Sequence, residues 1–293
     1  MNFYDIKGNK VCSKFDFKKV RNILDQIEKH IKDNVGPMVS LINEDNSLFC
    51  ENYSYTKLIE TIDRINKEPW ILEKRSKHLL IDGIGNLGVI YNGNPEILVY
   101  LSLKALKTNN NIIFFQSDEN RKINNYIINS INTILEKNNY KAVITIEEME
   151  NKKDITKYKN YLNTIICIGE IMEYNNLKEL VKTDIIYSAY GTLSLYMDDK
   201  DLRNTLLDMD EYIFKNNLIL DLYKDQDVKD VIQKINEKGE SFCAVVFTKD
   251  IKKAYYFIEN VDSQNVYVNK NPFKNYVFYI DDRKIVKIKN VII

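Results

Sequence analysis

Histidine and cysteine are scarce in this 293-residue chain, with two and four residues respectively. His30 and His78 stand apart, which leaves no histidine cluster for metal chemistry. Cys12, Cys50, Cys167 and Cys243 are widely spaced and form no CxxC pair, so neither a disulfide framework nor a zinc site is suggested. Most of them read as small buried hydrophobes. Charge of one sign is not in excess either: 42 Lys and Arg balance 42 Asp and Glu, and nothing points to nucleic acid or an anionic membrane as an obligatory partner. No apolar run is long enough to span a bilayer, and the opening MNFYDIKGNKVCSKFDF lacks the apolar segment of a signal peptide, so a cytoplasmic protein is expected. Low-complexity linkers and internal repeats are absent, and so are GxxxxGK[ST], HExxH and GxSxG.

What is present is a globular sequence, 44% hydrophobic, able to fill one large domain or two of ordinary size. Its most legible stretch runs from Gly83 to Glu119. Val89–Tyr91 is a short β-prone run, Asn92, Gly93, Asn94 and Pro95 are turn residues, Glu96–Lys107 is almost continuously apolar, and Ile112–Phe115 is a second β run. That is one βαβ unit, which predicts a parallel sheet with ligands beyond the carboxyl ends of its strands, and the turn at Asn92–Pro95 lies at such an end. Gly83, Gly85 and Gly88 satisfy the letter of GxGxxG, but Gly88 runs into a strand rather than a helix, so a glycine-rich turn between two strands is the better reading.

Helices are expected over residues 15–34 and Tyr55–Lys67, a strand at Leu79–Ile81, and an amphipathic helix carrying Ile123, Ile127, Ile131 and Ile134. Strands at Ala142–Ile146 and Thr164–Ile168 and a helix at Met172–Val181 continue the alternation, with a loop and short helix between Glu147 and Lys159. The order is that of a doubly wound α/β domain. From Asp184 a smaller α/β segment follows. Its strands are expected at Ile185–Tyr187, Leu193–Met197, Leu218–Tyr223, Phe242–Phe247 and Val266–Asn269. Helices should cover Asp201–Met209, Val228–Glu237 and Ile251–Glu259, and a β hairpin or arm closes the chain from Tyr276, turning at Asp281-Asp282-Arg283. The expected division is 1–184, 185–275 and 276–293. The acidic pairs Asp198-Asp199, Asp281-Asp282 and Glu147-Glu148 read as solvated turn residues rather than a metal or acid–base site.

Order and wording together resemble the aldehyde dehydrogenase superfamily, and most closely γ-glutamyl phosphate reductase. Leu87–Tyr91 followed by Pro95 is similar to that enzyme's "PLGVI…YESRP". Leu103–Lys107 with Asn110, Ile112, Ile113 and Glu119 resembles "LALKSGNAVILRGGSEA". Tyr190-Gly191 to Asp198, then Asp201-Leu202, looks like "GVCHVYVDEDADL". Phe247–Asp250, Ala254, Phe257, Val261–Ser263 and Val266–Asn269 are very close to "ITED…A..F…VDSAAVYVNAS". The resemblance covers roughly residues 78–273. It implies a nucleotide-binding α/β domain, a second α/β domain and a β arm that pairs with another subunit, in a homo- or hetero-oligomer.

The resemblance also shows what is missing. The segment that carries the family's cysteine nucleophile has no counterpart, since Glu211–Phe214 and Leu218–Leu220 already resemble the later part of the second domain, and neither Cys167 nor Cys243 matches the nucleophile's place. The resemblance therefore implies a non-catalytic binding, regulatory or assembly subunit, with an NAD(P)-dependent oxidoreductase acting on an acyl phosphate or aldehyde as the alternative. The residues placed at its NADP or NAD site are Asn92, Gly93, Asn94, Gln116, Ser117 and Glu119. Gln116 and Ser117 are bulkier than the family's "RGG" turn. Glu119 reads equally as a ribose ligand or as an ordinary first-turn acid favoured by the helix dipole.

Overall fold

A computed structural model describes residues 3–4, 10–11, 15–44, 51–74, 79–91, 93–116, 120–149, 152–169, 171–189, 192–198, 219–224, 226–237, 243–263, 265–270, 280 and 282–290. The chain divides into two compact units. The first comprises Met1–Cys167, Leu177–Ile186 and Phe278–Ile293, and the second Ile168–Asn176 and Tyr187–Val277. The stretch read as a separate arm from residue 276 thus belongs, from Phe278 on, to the first unit.

In the first unit, β1 (Phe3–Tyr4) and β2 (Lys10–Val11) form a small antiparallel pair. Helix α1 (Phe17–Asp33) starts where the Asp16 carboxylate accepts the Lys19 N–H, and its apolar residues recur every three or four positions, burying Val20, Ile23, Leu24, Ile27 and Ile31. Helix α2 (Val35–Glu44) was not expected from the sequence; its Gly36 and Pro37 sit in the first turn, where proline is tolerated because the N–H it lacks has no helical partner. Helix α3 (Glu51–Lys67) follows.

The central sheet is built from β4 (Asn86–Ile90), β5 (Asn111–Gln116), β6 (Ile144–Glu148), β7 (Thr164–Gly169) and β8 (Asp184–Ala189), in the order β6-β5-β4-β7-β8. The β4–β5, β4–β7 and β5–β6 pairs are parallel. Every residue of β4, β5 and β7 is buried, as expected of strands covered on both faces. The strand order reverses between β4 and β7, the switch point beyond which open α/β sheets hold their ligands. Gly85, ahead of β4, has φ +128°, a conformation side chains rarely adopt.

Helices α4 (Pro95–Thr108), α5 (Arg121–Lys137) and α6 (Ile171–Leu180) complete the alternation. Helix α4 begins with Pro95 in its first turn and ends at Asn109, in the left-handed conformation, and it is buried from Ile97 to Thr108. Strand β6 lies two residues later than expected, so Glu147 and Glu148 belong to a sheet edge rather than a turn, a placement that discourages edge-to-edge pairing. Residues 152–158 form a 3-10 helix.

The tail departs from the hairpin expected of it. After a 3-10 turn at Asp282–Ile285, β13 (Val286–Asn290) pairs antiparallel with β3 (Leu79–Gly83), Ile288 opposite Ile81. Asp281 and Tyr276–Tyr279 lie outside the described residues. Polar contacts that hold this segment include Ile280 N–H to Tyr100 Oη at 3.0 Å, Lys104 Nζ to Asp282 Oδ1 at 2.8 Å, and Asn110 Nδ2 and the Ile84 N–H to the Ile285 carbonyl at 2.9 and 3.3 Å.

Lys107 closes the end of α3. Its ammonium donates to the Ile65 and Glu68 carbonyls at 2.6 and 2.8 Å and lies 5.1 Å from the Trp70 ring centroid. Burial, helped by the nearby Lys104 charge, lowers its pKa to about 8. Between about pH 8 and the ordinary lysine range the unfolded chain therefore binds more protons than the folded one, so this group makes stability rise with pH. The urea midpoint is expected to increase from pH 7.5 to 9.5 in the natural chain and to lose that component in Lys107→Met. Equal slopes in the two proteins would refute the assignment.

In the second unit the sheet order is β10-β9-β11-β12, all parallel, from β9 (Thr192–Met197), β10 (Ile219–Lys224), β11 (Cys243–Phe247) and β12 (Val266–Val268). Helices α7 (Val228–Glu237) and α8 (Ile251–Asn260) bury Val231, Ile232, Ile235 and Phe257 with Tyr196, Ala244 and Val246. The helix expected over Asp201–Met209 lies outside the described residues.

Candidate functional site

The carboxyl edge of the first sheet brings together several residues singled out from the sequence. Tyr91 directly follows β4 and Gln116 ends β5, each one residue beyond the paired Ile90 and Phe115, and Tyr91 Oη donates to Gln116 Oε1 at 2.9 Å. Asn124 joins them from α5, its Nδ2 donating to the Gly93 carbonyl at 2.7 Å, to Gln116 Oε1 at 3.0 Å and to Tyr91 Oη at 3.3 Å. Asn124 is fully buried on the apolar face of α5, a position where the sequence reading counted only isoleucines; an amide among the isoleucines of an amphipathic stripe was the available signal. Asn94 is used differently, its carboxamide oxygen accepting the Glu96 N–H at 2.8 Å as the cap of α4. Asn92, Ser117 and Glu119 lie outside the described residues.

This edge holds polar atoms with no partner among the described residues. Gln116 Nε2, Asn120 Oδ1 and Asn124 Oδ1 are buried and unbonded. Leaving such atoms unsatisfied costs about 1–3 kcal/mol each, which a bound water or polar ligand removes. The first turn of α5 contains Arg121 and Lys122 and no acidic residue, while α4 starts with its own Asn94 cap and Glu96, which accepts a hydrogen bond from Thr61. An anionic group is thus better matched by α5 than by α4. Arg121 also pairs with Glu148 at the end of β6. Burial raises the Tyr91 pKa well above the ordinary tyrosine value, so its hydroxyl stays a neutral donor.

The second unit has its own polar edge, at the carboxyl ends of β9, β11 and β12. The strand order reverses between β9 and β11, and there Thr248 Oγ1 donates to Asp198 Oδ2 at 2.8 Å. Lys253 donates to Asp198 Oδ1 at 2.7 Å and Tyr196 to the same oxygen at 3.3 Å. The Lys253 ammonium, with Thr248 and Tyr196 in support, holds the Asp198 carboxyl below its usual pKa against the opposing effect of burial. Asn269 lies in the left-handed region at φ 52°. Its Oδ1 accepts the Thr248 N–H and its Nδ2 donates to the Thr248 carbonyl, both at 2.9 Å. Asp198 is therefore an ion-paired residue, not the solvated turn acid expected; Asp199 lies outside the described residues.

Both described cysteines are fully buried in strands, Cys167 in β7 and Cys243 in β11. Burial pushes the Cys243 thiol pKa up, which disfavours the thiolate. Cys12 and Cys50 lie outside the described residues. Among the described residues no group of three His, Cys, Asp or Glu side chains could hold a metal ion, and no helix is long and apolar enough to cross a membrane.

No protein-family model matches the chain. The γ-glutamyl phosphate reductase of Kosmotoga olearia is 25% identical over 128 residues, 42% of this chain and 31% of the relative. The chain's matches cover only 27% to 31% of the curated reductases' lengths. Among solved structures, a glyceraldehyde-3-phosphate dehydrogenase from Methanocaldococcus jannaschii complexed with NADP superposes with a TM-score of 0.71 at 13% identity, covering 96% of this chain and 90% of that one. The Saccharomyces cerevisiae γ-glutamyl phosphate reductase gives 0.53 at 15% identity, covering 94% and 92%. The chain thus has the aldehyde dehydrogenase fold, and two fifths of it is similar in sequence to γ-glutamyl phosphate reductase.

Proposed function

We propose that the chain is a non-catalytic relative of γ-glutamyl phosphate reductase, a binding or assembly subunit that takes up NADP or NAD at the carboxyl edge of its first sheet. The observation that carries the non-catalytic half is the burial of Cys167 and Cys243 inside core strands. A thiolate must reach an acyl carbon to attack it, and loss of such a nucleophile removes several orders of magnitude in rate. The cofactor half is supported by the orphaned amide atoms of Gln116, Asn120 and Asn124. The residues that would hold the nucleotide are Asn92, Gly93, Asn94, Gln116, Ser117 and Glu119, with Arg121 and Lys122 toward its phosphates. A bound NADPH would supply hydride; this chain's part is to bind and orient it.

Calorimetric titration with NADPH and NADH is expected to show binding at submillimolar cofactor, while purified protein shows no aldehyde- or acyl-phosphate-dependent change in NAD(P)H absorbance. Absence of heat at millimolar cofactor removes the cofactor half. Turnover abolished by Cys243→Ala or Cys167→Ala removes the other half and returns the chain to the NAD(P)-dependent oxidoreductases. Self-association through residues 276–293, as a homo- or hetero-oligomer, belongs to the same proposal: Leu80 of β3 and Ile288 of β13 are 52% and 49% exposed.

A further inference from the structure

Helix α8 carries apolar side chains on two faces. Ala254 and Phe257 are buried in the core of the second unit, and Val261 packs against it. Ile251, Tyr255 and Ile258 are instead 69%, 60% and 44% exposed. Their spacing of four and then three residues lines them up in one stripe. Single exposed apolar residues are ordinary; a stripe of three large ones along one helix is an interaction surface. The helical repeat sets the stripe about a quarter-turn from the buried face. It points away from Tyr256 and Asn260, which meet Lys229 and Asn236 of α7. The stripe therefore lies on the outer flank of α8, on the side of the edge strand β12.

The flanking charges identify what fits it. Lys252 and Glu259 are exposed, seven residues apart, and border the stripe on the same side. When two copies of one helix pack antiparallel about a two-fold axis, each flank meets the same flank of the other copy in reverse order. With Tyr255 near the axis, Ile251 meets the partner's Ile258, and Lys252 meets the partner's Glu259 twice over. A parallel pairing about a two-fold puts the two copies of this flank on opposite sides of the seam, where Lys252 and Glu259 do not meet. We propose that α8 is a self-association surface that docks on α8 of a second copy of this chain in the antiparallel register. It is distinct from the strand pair β3–β13. A ten-residue helix is about 15 Å long, so the contact is at the small end of specific interfaces, where association is weak and reversible.

Sedimentation velocity on the full chain from about 1 to 200 µM tests this, a range that suits a weak, reversible contact. The natural chain is expected to dimerise reversibly, and Tyr255→Glu to be monomeric with an unchanged circular dichroism spectrum. Lys252→Glu and Glu259→Lys are each expected to raise Kd about tenfold, and the double variant to return it to within about threefold of the natural value, because only the reversed pair restores opposite charges. A natural chain that stays monomeric throughout overturns the proposal. So does a dimer indifferent to Tyr255→Glu and Lys252→Glu, a result that with loss of association in Ile288→Lys would assign the contact to β13. Failure of the double variant to recover overturns the antiparallel register.

Discussion

Lys104→Ala is expected to lower the unfolding free energy by about 3–5 kcal/mol, the usual cost of removing one member of a buried charge pair. Lys104 is 2% exposed in the middle of α4. Its ammonium bonds to Glu68 at the end of α3 and to Asp282 ahead of β13, and lies 5.7 Å from the Tyr100 ring centroid. Burial alone would lower its pKa; Tyr100, Asp282 and Glu68 more than offset that and raise it above the ordinary lysine value. The sign follows for this lysine: its contribution is present below the unfolded lysine pKa and is lost as pH rises through the raised folded value. Removing Lys104 takes the ammonium from two carboxylates, each about one-fifth exposed; Glu68 keeps Arg64 at 3.6 Å, and Asp282 loses the cation that pairs it. Urea unfolding at pH 7 measures the loss, and Lys104→Met with Asp282→Asn should recover part of it because one stranded charge is then gone. A Lys104→Ala protein within about 0.5 kcal/mol of the natural chain, the range of ordinary surface substitutions, would show that the cluster does not hold the tail.

Gly83→Ala is the second large effect, expected at about 3 kcal/mol or more, the upper range for overpacking against atoms that cannot move aside. A methyl group at Gly83 would stand 2.1 Å from the Asn109 carbonyl oxygen and 2.7 Å from that of Thr108, both backbone atoms at the end of α4. Gly36→Ala is the internal control. Nothing lies within 4 Å of its added carbon, and inside α2 the change should be neutral or stabilising by up to about 1 kcal/mol. If the two variants unfold at the same urea concentration, the close approach of β3 to the end of α4 is wrong. Of the glycines that spell a dinucleotide fingerprint, Gly83 is thus accounted for by backbone contact, Gly85 by a positive φ, and Gly88 by the Leu162 and Phe115 side chains packed where its Cβ would stand.

Elements whose information is local were legible in the residues. The βαβ unit from Val89 to Phe115 falls within three residues of its expected bounds, and the isoleucine repeat lies on α5 as expected, because periodicity, Pro95 and Asn109 state these elements directly. The tail was not. Residues 286–290 read as strand, but their partner is β3, and no turn between them announces a pairing so distant. The same limit hid Asn124, the Lys104 cluster and the Asp198–Lys253 pair, since each joins elements far apart in the chain. The stretch Phe247 to Asn269, read from the sequence as very close to the reductase, has a structural account of its own: Thr248 and Asn269 tie the ends of β11 and β12 by a reciprocal pair of hydrogen bonds.

The clasp on β13 also sets a timetable for folding. Lys104 and Asp282 are 178 residues apart and Asn110 and Ile285 are 175 apart, so these contacts close a very long loop. At about 5–20 residues per second, a nascent chain makes β3 and α4 some 10–35 s before their partners. Throughout that interval the free edge of β3, with Leu80 exposed, waits unpaired beside a buried lysine that has lost one of its two carboxylates. The first unit is then open to wrong strand pairing until synthesis reaches Asn290, and a ribosome-associated chaperone has the most to shield in this window.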